Sequence, residues 1–280
     1  MTGKSTKNCA LCGSNKTTPL ERGVKDLVSL EVFDVYSCAT CLVGYTNPIP
    51  KNLEDYYNQE NYDSYQKKKG VFSSIYSLIQ RINNRYKVNI IKRYGVGSLL
   101  DYGAGSGNFV DHANRVGYKS IGFEPINKSL NKNITNNMAV IKKSKYKFIT
   151  LWHVLEHTKK PKELLHNIKG LLSKGGKIVI AVPNIGSYDN IYYKKNWAGY
   201  DVPRHVFHFN KNSLMGLLSD VKLSVVGSKP LYFDSFYVSM LSEKQKKNPL
   251  WFVFGFFIGL ASNISAFFTK KHSSIIYIIE

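Results

Sequence analysis

The run Leu99-Leu100-Asp101-Tyr102-Gly103-Ala104-Gly105-Ser106-Gly107-Asn108 constrains this chain more than any other feature. An apolar strand over 98–101 enters a glycine-rich turn, and an amphipathic helix over 108–116 leaves it. Glycines permit a tight turn and let a ligand approach the backbone closely. In open α/β sheets, that bend is where ligands bind. The dinucleotide fingerprint G-x-G-x-x-G would place its third glycine at Asn108, but the glycine stands at 107. The spacing therefore disfavours a nicotinamide enzyme. The next expected strand, 120–124, ends in Glu124, placed to accept hydrogen bonds from two ribose hydroxyls.

The rest of the chain alternates in the same way. Phe72, Ile75, Leu78, Ile79, Ile82, Tyr86 and Ile90 recur at helical steps, predicting a helix over 71–94. Further strands are expected at 139–141, 148–152, 177–182, 223–226 and 275–279. Helices are expected at 127–136, 161–172 and 210–218, the second with Pro161 in its first turn. Strands alternating with helices imply a parallel sheet covered on both faces. The expected organisation is a zinc-binding unit over 1–50, a helical linker or lid over 51–95, and a ligand-binding domain over 96–280. An apolar helical insertion is expected at 245–272.

The glycine run reads D-x-G-x-G-x-G and resembles the first motif of class I S-adenosylmethionine-dependent methyltransferases. Four further segments resemble one branch of that family, often linked to cell-surface polysaccharide biosynthesis. They are Gly122 to Pro125, Trp152-His153-Val154-Leu155-Glu156-His157 with Leu172 to Gly176, and Asp201-Val202-Pro203-Arg204-His205. The resemblance implies a Rossmann-like α/β fold, with a mostly parallel sheet of seven strands whose last strand is antiparallel. It implies that Asp101, Gly103, Ala104, Gly105, Gly107, Glu124, Trp152 and His153 bind S-adenosylmethionine. Lys147 stands where relatives commonly carry an acidic residue before the fourth strand.

A methyl on a sulfonium is already activated, so the protein must align a nucleophile and, for a hydroxyl or carbon acid, remove a proton. His153, His157, His205 and His208 are candidate bases, and His157 and His205 are carried forward as catalytic. Each could equally be a histidine that only shapes the pocket. Tyr57, Tyr62, Arg204 and His208 are carried forward as substrate contacts. Arg204 could instead pair with a neighbouring carboxylate. His153 to His157 also fits the H-x-x-E-H pattern of zinc peptidases. It starts at a strand end, and no further ligand is evident, so no catalytic metal is expected.

All four cysteines occur as Cys9-x-x-Cys12 and Cys38-x-x-Cys41. Two such pairs suit a closed, structural Zn²⁺ site, with disulfides or a degenerate remnant as the alternative. Thiol ligands point to a reducing compartment, so the cytoplasm is expected.

The formal charge is +20. It suits an anionic acceptor or membrane surface, and no nucleic-acid motif accompanies it. Pro249 to Phe268 carries no charge and is flanked by Lys246-Lys247 and Lys270-Lys271. The stretch is long enough to span a bilayer. A single span would strand the expected strand at 275–279 on the far side. A packed hairpin or dimer surface and a helix lying on the inner membrane face stay open. The expected function is methyl transfer to a hydroxyl or carbon of a small molecule, such as a sugar or a nucleotide- or lipid-linked sugar. An RNA or other nucleic-acid methyltransferase and a non-catalytic membrane-associated module are the alternatives.

Overall fold

The structure is a computed structural model. It describes residues 8–57, 71–126 and 131–280, with the side chains of 71–77 outside the described set. Tyr62, and residues 127–130 of the expected polar helix, therefore lie outside the described residues.

Three strands open the chain: β1 (Thr17–Lys25), β2 (Val32–Cys38) and β3 (Gly44–Asn47). Helix α1 (Val71–Lys92) leads to β4 (Ser98–Tyr102), α2 (Asn108–Arg115) and β5 (Lys119–Phe123). Then come β6 (Ile134–Thr135), α3 (Met138–Lys142), β7 (Tyr146–Trp152), α4 (Pro161–Leu171) and β8 (Leu172–Pro183). The last third holds α5 (Tyr188–Tyr193), β9 (Phe207–His208), α6 (Lys211–Asp220) and β10 (Val225–Pro230). It ends with α7 (Tyr232–Gln245), α8 (Trp251–Thr269) and β11 (Ser274–Ile279).

Seven strands form the main sheet in the order β10-β11-β8-β7-β4-β5-β6. The last strand, β11, runs antiparallel to both β8 and β10, and the other pairs are parallel. This is the expected Rossmann-like arrangement. Alternate residues feed opposite faces, as the two-residue period of a strand requires. Leu100, Ile149, Leu151, Ile178 and Ile180 pack with Leu165 and Ile168 of α4 and Leu214 and Leu217 of α6. Leu99, Phe148, Val179, Ala181 and Ile276 pack with Val88 and Ile91 of α1 and Phe109 and Ala113 of α2. Burial on both faces explains why the central strands read as apolar runs.

The structure corrects three assignments. Of the helix expected over 127–136, the described residues 131–136 are not helical and include β6. The expected third strand, Ala139 to Ile141, is part of helix α3, whose N-cap Asn137 accepts the Ala139 N–H at 2.9 Å. The true third strand is the short edge β6, where Ile134 packs beside Gly122. Only Ile141 of that apolar triplet is buried, and Val140 is exposed. The helical insertion also begins earlier than expected. It is a hairpin of α7 and α8 lying between β10 and β11. The polar residues Ser235, Ser239 and Ser242 are buried on α7, so no apolar stripe announced that helix.

The N-terminal strands form a second, antiparallel sheet in the order β1-β2-β3-β9. Its fourth strand comes from residues 207–208. The Thr46 hydroxyl donates to the His205 carbonyl at 2.6 Å, and Thr46 N–H donates to the Val206 carbonyl at 3.0 Å. The cysteine-bearing unit is thereby joined to the loop that carries Arg204 and His205.

Candidate active site

The carboxyl ends of β4, β5 and β7 meet at the glycine turn. Gly103 and Ala104 N–H groups both donate to the Phe123 carbonyl, at 2.8 and 3.1 Å, which fastens the turn to the end of β5. Gly103 has φ +76°, and a Cβ there would meet Val154 at 2.5 Å. Gly105 has φ +53°, and no atom within 4 Å would meet its Cβ. Only glycine adopts both conformations readily, and the side of the turn at Gly105 is open. Glu124 is half-buried, and its Oε2 accepts the Gly105 N–H at 2.9 Å.

Asp101 lies beneath this turn. It is buried, and Thr150 Oγ1 donates to its Oδ1 at 2.6 Å. Burial pushes its pKa up to about 7, against the pull of Thr150 and Lys87 and with help from Glu124. Trp152 closes the side of the hollow, with Phe109 edge-on at 5.2 Å and the Lys87 ammonium 4.4 Å from its ring centre. Its indole N–H is buried and has no partner among the described residues.

The histidines follow directly. Val154 lies on Gly103, so the glycine turn and the histidine loop touch. His153 has φ +56° and bridges two carboxylates, Asp234 Oδ2 at 3.0 Å and Glu156 Oε1 at 3.2 Å. Burial disfavours its charge, but Asp234 and Glu156 outweigh this and push its pKa up to about 10. Both ring nitrogens are donors there, which makes His153 a fixed cation and removes it from the candidate bases.

His157 and His205 pack edge to face, with ring centres 4.5 Å apart. His157 Nδ1 lies 3.1 Å from the Arg204 carbonyl and 2.8 Å from the Tyr57 hydroxyl. His205 Nδ1 lies 3.0 Å from the Gly199 carbonyl. A carbonyl only accepts, so each Nδ1 carries hydrogen, and a ring in its neutral form has its lone pair on Nε2. Burial, then the charge of His205, lowers the His157 pKa to about 4. Glu156 is 1% exposed, and its Oε2 has no partner among the described residues. Burial alone would raise its pKa, but the His153 hydrogen bond and charge hold it below the usual carboxylate range. Donor atoms of Glu156, His157 and His205 lie within 4.8 Å of one another, whereas His153, the first histidine of the H-x-x-E-H run, faces Asp234 and Glu156 instead. Asp201 Oδ2 stands 3.9 Å from His205 Nε2.

Two expected substrate contacts are corrected. Arg204 is 1% exposed, and its Nη2 meets Asp26 Oδ1 and Asp201 Oδ1, each at 2.6 Å. It is a strut between the N-terminal unit and the histidine loop. His208 is 3% exposed. Because the Thr46 hydroxyl donates to the His205 carbonyl, it accepts from His208 Nε2 at 3.0 Å. Burial lowers the His208 pKa well below its ordinary value. Asp234, Lys87, Thr150 and Asp26 were missed by sequence reasoning. No local spacing marks any of them.

The four cysteines converge as expected. Cys9 and Cys41 Sγ atoms lie 3.7 Å apart, as do those of Cys12 and Cys38, and all four are free thiols. A tetrahedral Zn²⁺ site with Zn–S bonds of ~2.3 Å has S···S edges of ~3.8 Å. The cysteines are thus positioned to hold a structural zinc ion.

A methyltransferase domain family matches residues 70–227, over half of the chain. The chain belongs to that family. The chain is therefore a methyltransferase, and S-adenosylmethionine is the methyl donor that its motifs imply. No curated protein matches it. It is similar to a SAM-dependent methyltransferase from Archaeoglobus fulgidus, at 19% identity and TM-score 0.46, over 72% of this chain and 93% of that one. A cyclopropane-fatty-acyl-phospholipid synthase-like protein from Lactobacillus casei is similar at 12% identity and TM-score 0.49, over 82% of this chain and 98% of that one. The 1,6-didemethyltoxoflavin-N1-methyltransferase of Burkholderia thailandensis gives 16% identity and TM-score 0.40, over 52% of this chain and 70% of that one.

The residues present fit the donor. Gly105 leaves open space beside the turn, and Glu124 offers a carboxylate at the end of β5. Gly103, Ala104, Gly105, Gly107, Asp101, Glu124 and Trp152 are gathered at one end of the sheet.

Proposed function

We propose that this methyltransferase, acting in the cytoplasm, methylates a hydroxyl or carbon of a small molecule. The acceptor is a sugar, free or nucleotide- or lipid-linked, in surface polysaccharide biosynthesis. The observation that carries the reading is the contact between the glycine turn and the histidine pair through Val154. The ordered motifs around His153 and Arg204 support the sugar class, and the +20 charge suits a phosphate-bearing acceptor.

Bound S-adenosylmethionine supplies a methyl group activated on a sulfonium. Glu124 would hold its ribose, and the Gly103 to Gly107 turn would line its path. His205 is the general base. Its Nδ1–H is fixed on the Gly199 carbonyl, so Nε2 is the atom that takes the acceptor's proton. Glu156 and Asp201 lie beside the imidazolium that results and stabilise it. His157, kept neutral by burial, positions the His205 ring, and Tyr57 positions His157.

The test is methyl transfer from labelled S-adenosylmethionine to a panel of nucleotide-sugars, lipid-linked sugars and RNA. Label in a sugar fraction is expected. Label in RNA alone would replace this acceptor class.

A further inference from the structure

We infer that α8 and the basic cavity at its C-terminal end form a docking site for an anionic bilayer, with a lipid phosphate seated in the cavity. This goes beyond the methyl-transfer reading and does not depend on the acceptor.

Helix α8 is built in reverse for a helix in water. Its buried residues are Gly255, Gly259, Ser262 and Ala266. A Cβ at Gly255 would lie 2.5 Å from Met240 Cα, and one at Gly259 2.7 Å from Phe236 Cα. The small residues therefore set α8 directly against the backbone of α7. The large residues point outward. Phe257, Phe267 and Phe268 are 61%, 69% and 76% exposed, and Phe252, Phe254 and Phe256 share that surface. A contiguous apolar face of this size marks an interaction site.

The helix is long and apolar enough to cross a membrane. Topology forbids a single crossing, because β11, the next element, lies between β8 and β10 in the catalytic sheet. A helix lying in the interface keeps both ends on one side. Its flanks suit that placement. Lys244 and Lys247 precede it and Lys270 and Lys271 follow it, all exposed. Such clusters are drawn to anionic lipid.

The cavity supplies the second, independent observation. It measures about 670 Å³ and opens between α1, β10 and the end of α8. Arg93, Lys211, Lys229 and Lys270 line it, with no acidic residue among its lining. Phe267 belongs both to this lining and to the exposed apolar face. Four cations without a carboxylate ask for an anion, and the apolar face beside them asks for acyl chains. One phospholipid satisfies both.

The test is sedimentation of the full-length protein with vesicles of phosphatidylcholine alone, or of phosphatidylcholine with one-third phosphatidylglycerol. Binding to the anionic vesicles and not the neutral ones is expected. Phe257→Ser with Phe268→Ser should weaken it roughly tenfold or more, and Arg93→Ala or Lys229→Ala about fivefold each. S-adenosylhomocysteine binding, unchanged in every variant, shows that the fold and the donor site are intact. The proposal is overturned if the parent stays in the supernatant, or if the variants bind vesicles as the parent does. It is equally overturned if the phenylalanine variants dissolve a dimer in ultracentrifugation without changing vesicle binding, or if the cavity takes inorganic phosphate that anionic vesicles fail to displace.

Discussion

The glycine turn and the histidine cluster lie against each other but are made in different ways. The turn is one contiguous stretch, Asp101 to Gly107, and works mainly through backbone conformation and N–H groups. The cluster draws on Tyr57, Glu156 with His157, Asp201 with His205, and Asp234 from α7. It works through side chains, brought together by a sheet edge, a loop and a helical hairpin. The comparison teaches that the glycine turn is a local property of this chain, whereas the histidine cluster belongs to its tertiary packing.

The largest effect should come from the cluster. His205→Asn is expected to lower kcat by about 10²–10⁴-fold, the usual range for losing a general base. Calorimetry should show S-adenosylhomocysteine binding unchanged. A loss of binding in this variant would erase the division between the two halves. The converse is Glu124→Ala, which removes a charged hydrogen-bond acceptor and should weaken S-adenosylhomocysteine binding by roughly 10–150-fold. Single-turnover methyl transfer at saturating donor should change far less.

The smallest effect sharpens the cluster side alone. His153 is raised to about 10 between Asp234 and Glu156, so its folded pKa lies above its ordinary value near 6.5. Its stabilising contribution is complete below pH 6.5 and disappears as pH rises through about 10. Asp234→Asn should therefore lower the melting temperature by a few degrees in weakly acidic buffer, and the gap to the parent should close toward pH 10. A gap that stays constant with pH would mean that Asp234 acts by packing rather than by charge.

Legibility followed the same division. Glu124, the glycines and the four cysteines could be read because their spacing is itself the chemical requirement. Central strands were legible from runs such as Lys177 to Val182. Ala139 to Ile141 misled, because a short apolar triplet serves a helix turn or a strand equally well, and Asn137 as N-cap decided for the helix. Arg204 carried two open roles in the sequence. Asp26, distant in the chain, closed the question by meeting it in the interior. Helix α7 was not legible, since its buried side is serine rather than apolar.

By itself the sequence determined the class of fold, the donor turn and the zinc ligands, because each depends on residues close together in the chain. Only the tertiary structure decided that His153 is held as a cation between two carboxylates and that His157 and His205 turn Nδ1 to backbone carbonyls. It alone showed that Arg204 is a strut and that α8 hides its glycines and presents its phenylalanines. Those outcomes depend on which groups meet in the interior, where a carboxylate or carbonyl a few ångströms away settles the state of a titratable side chain.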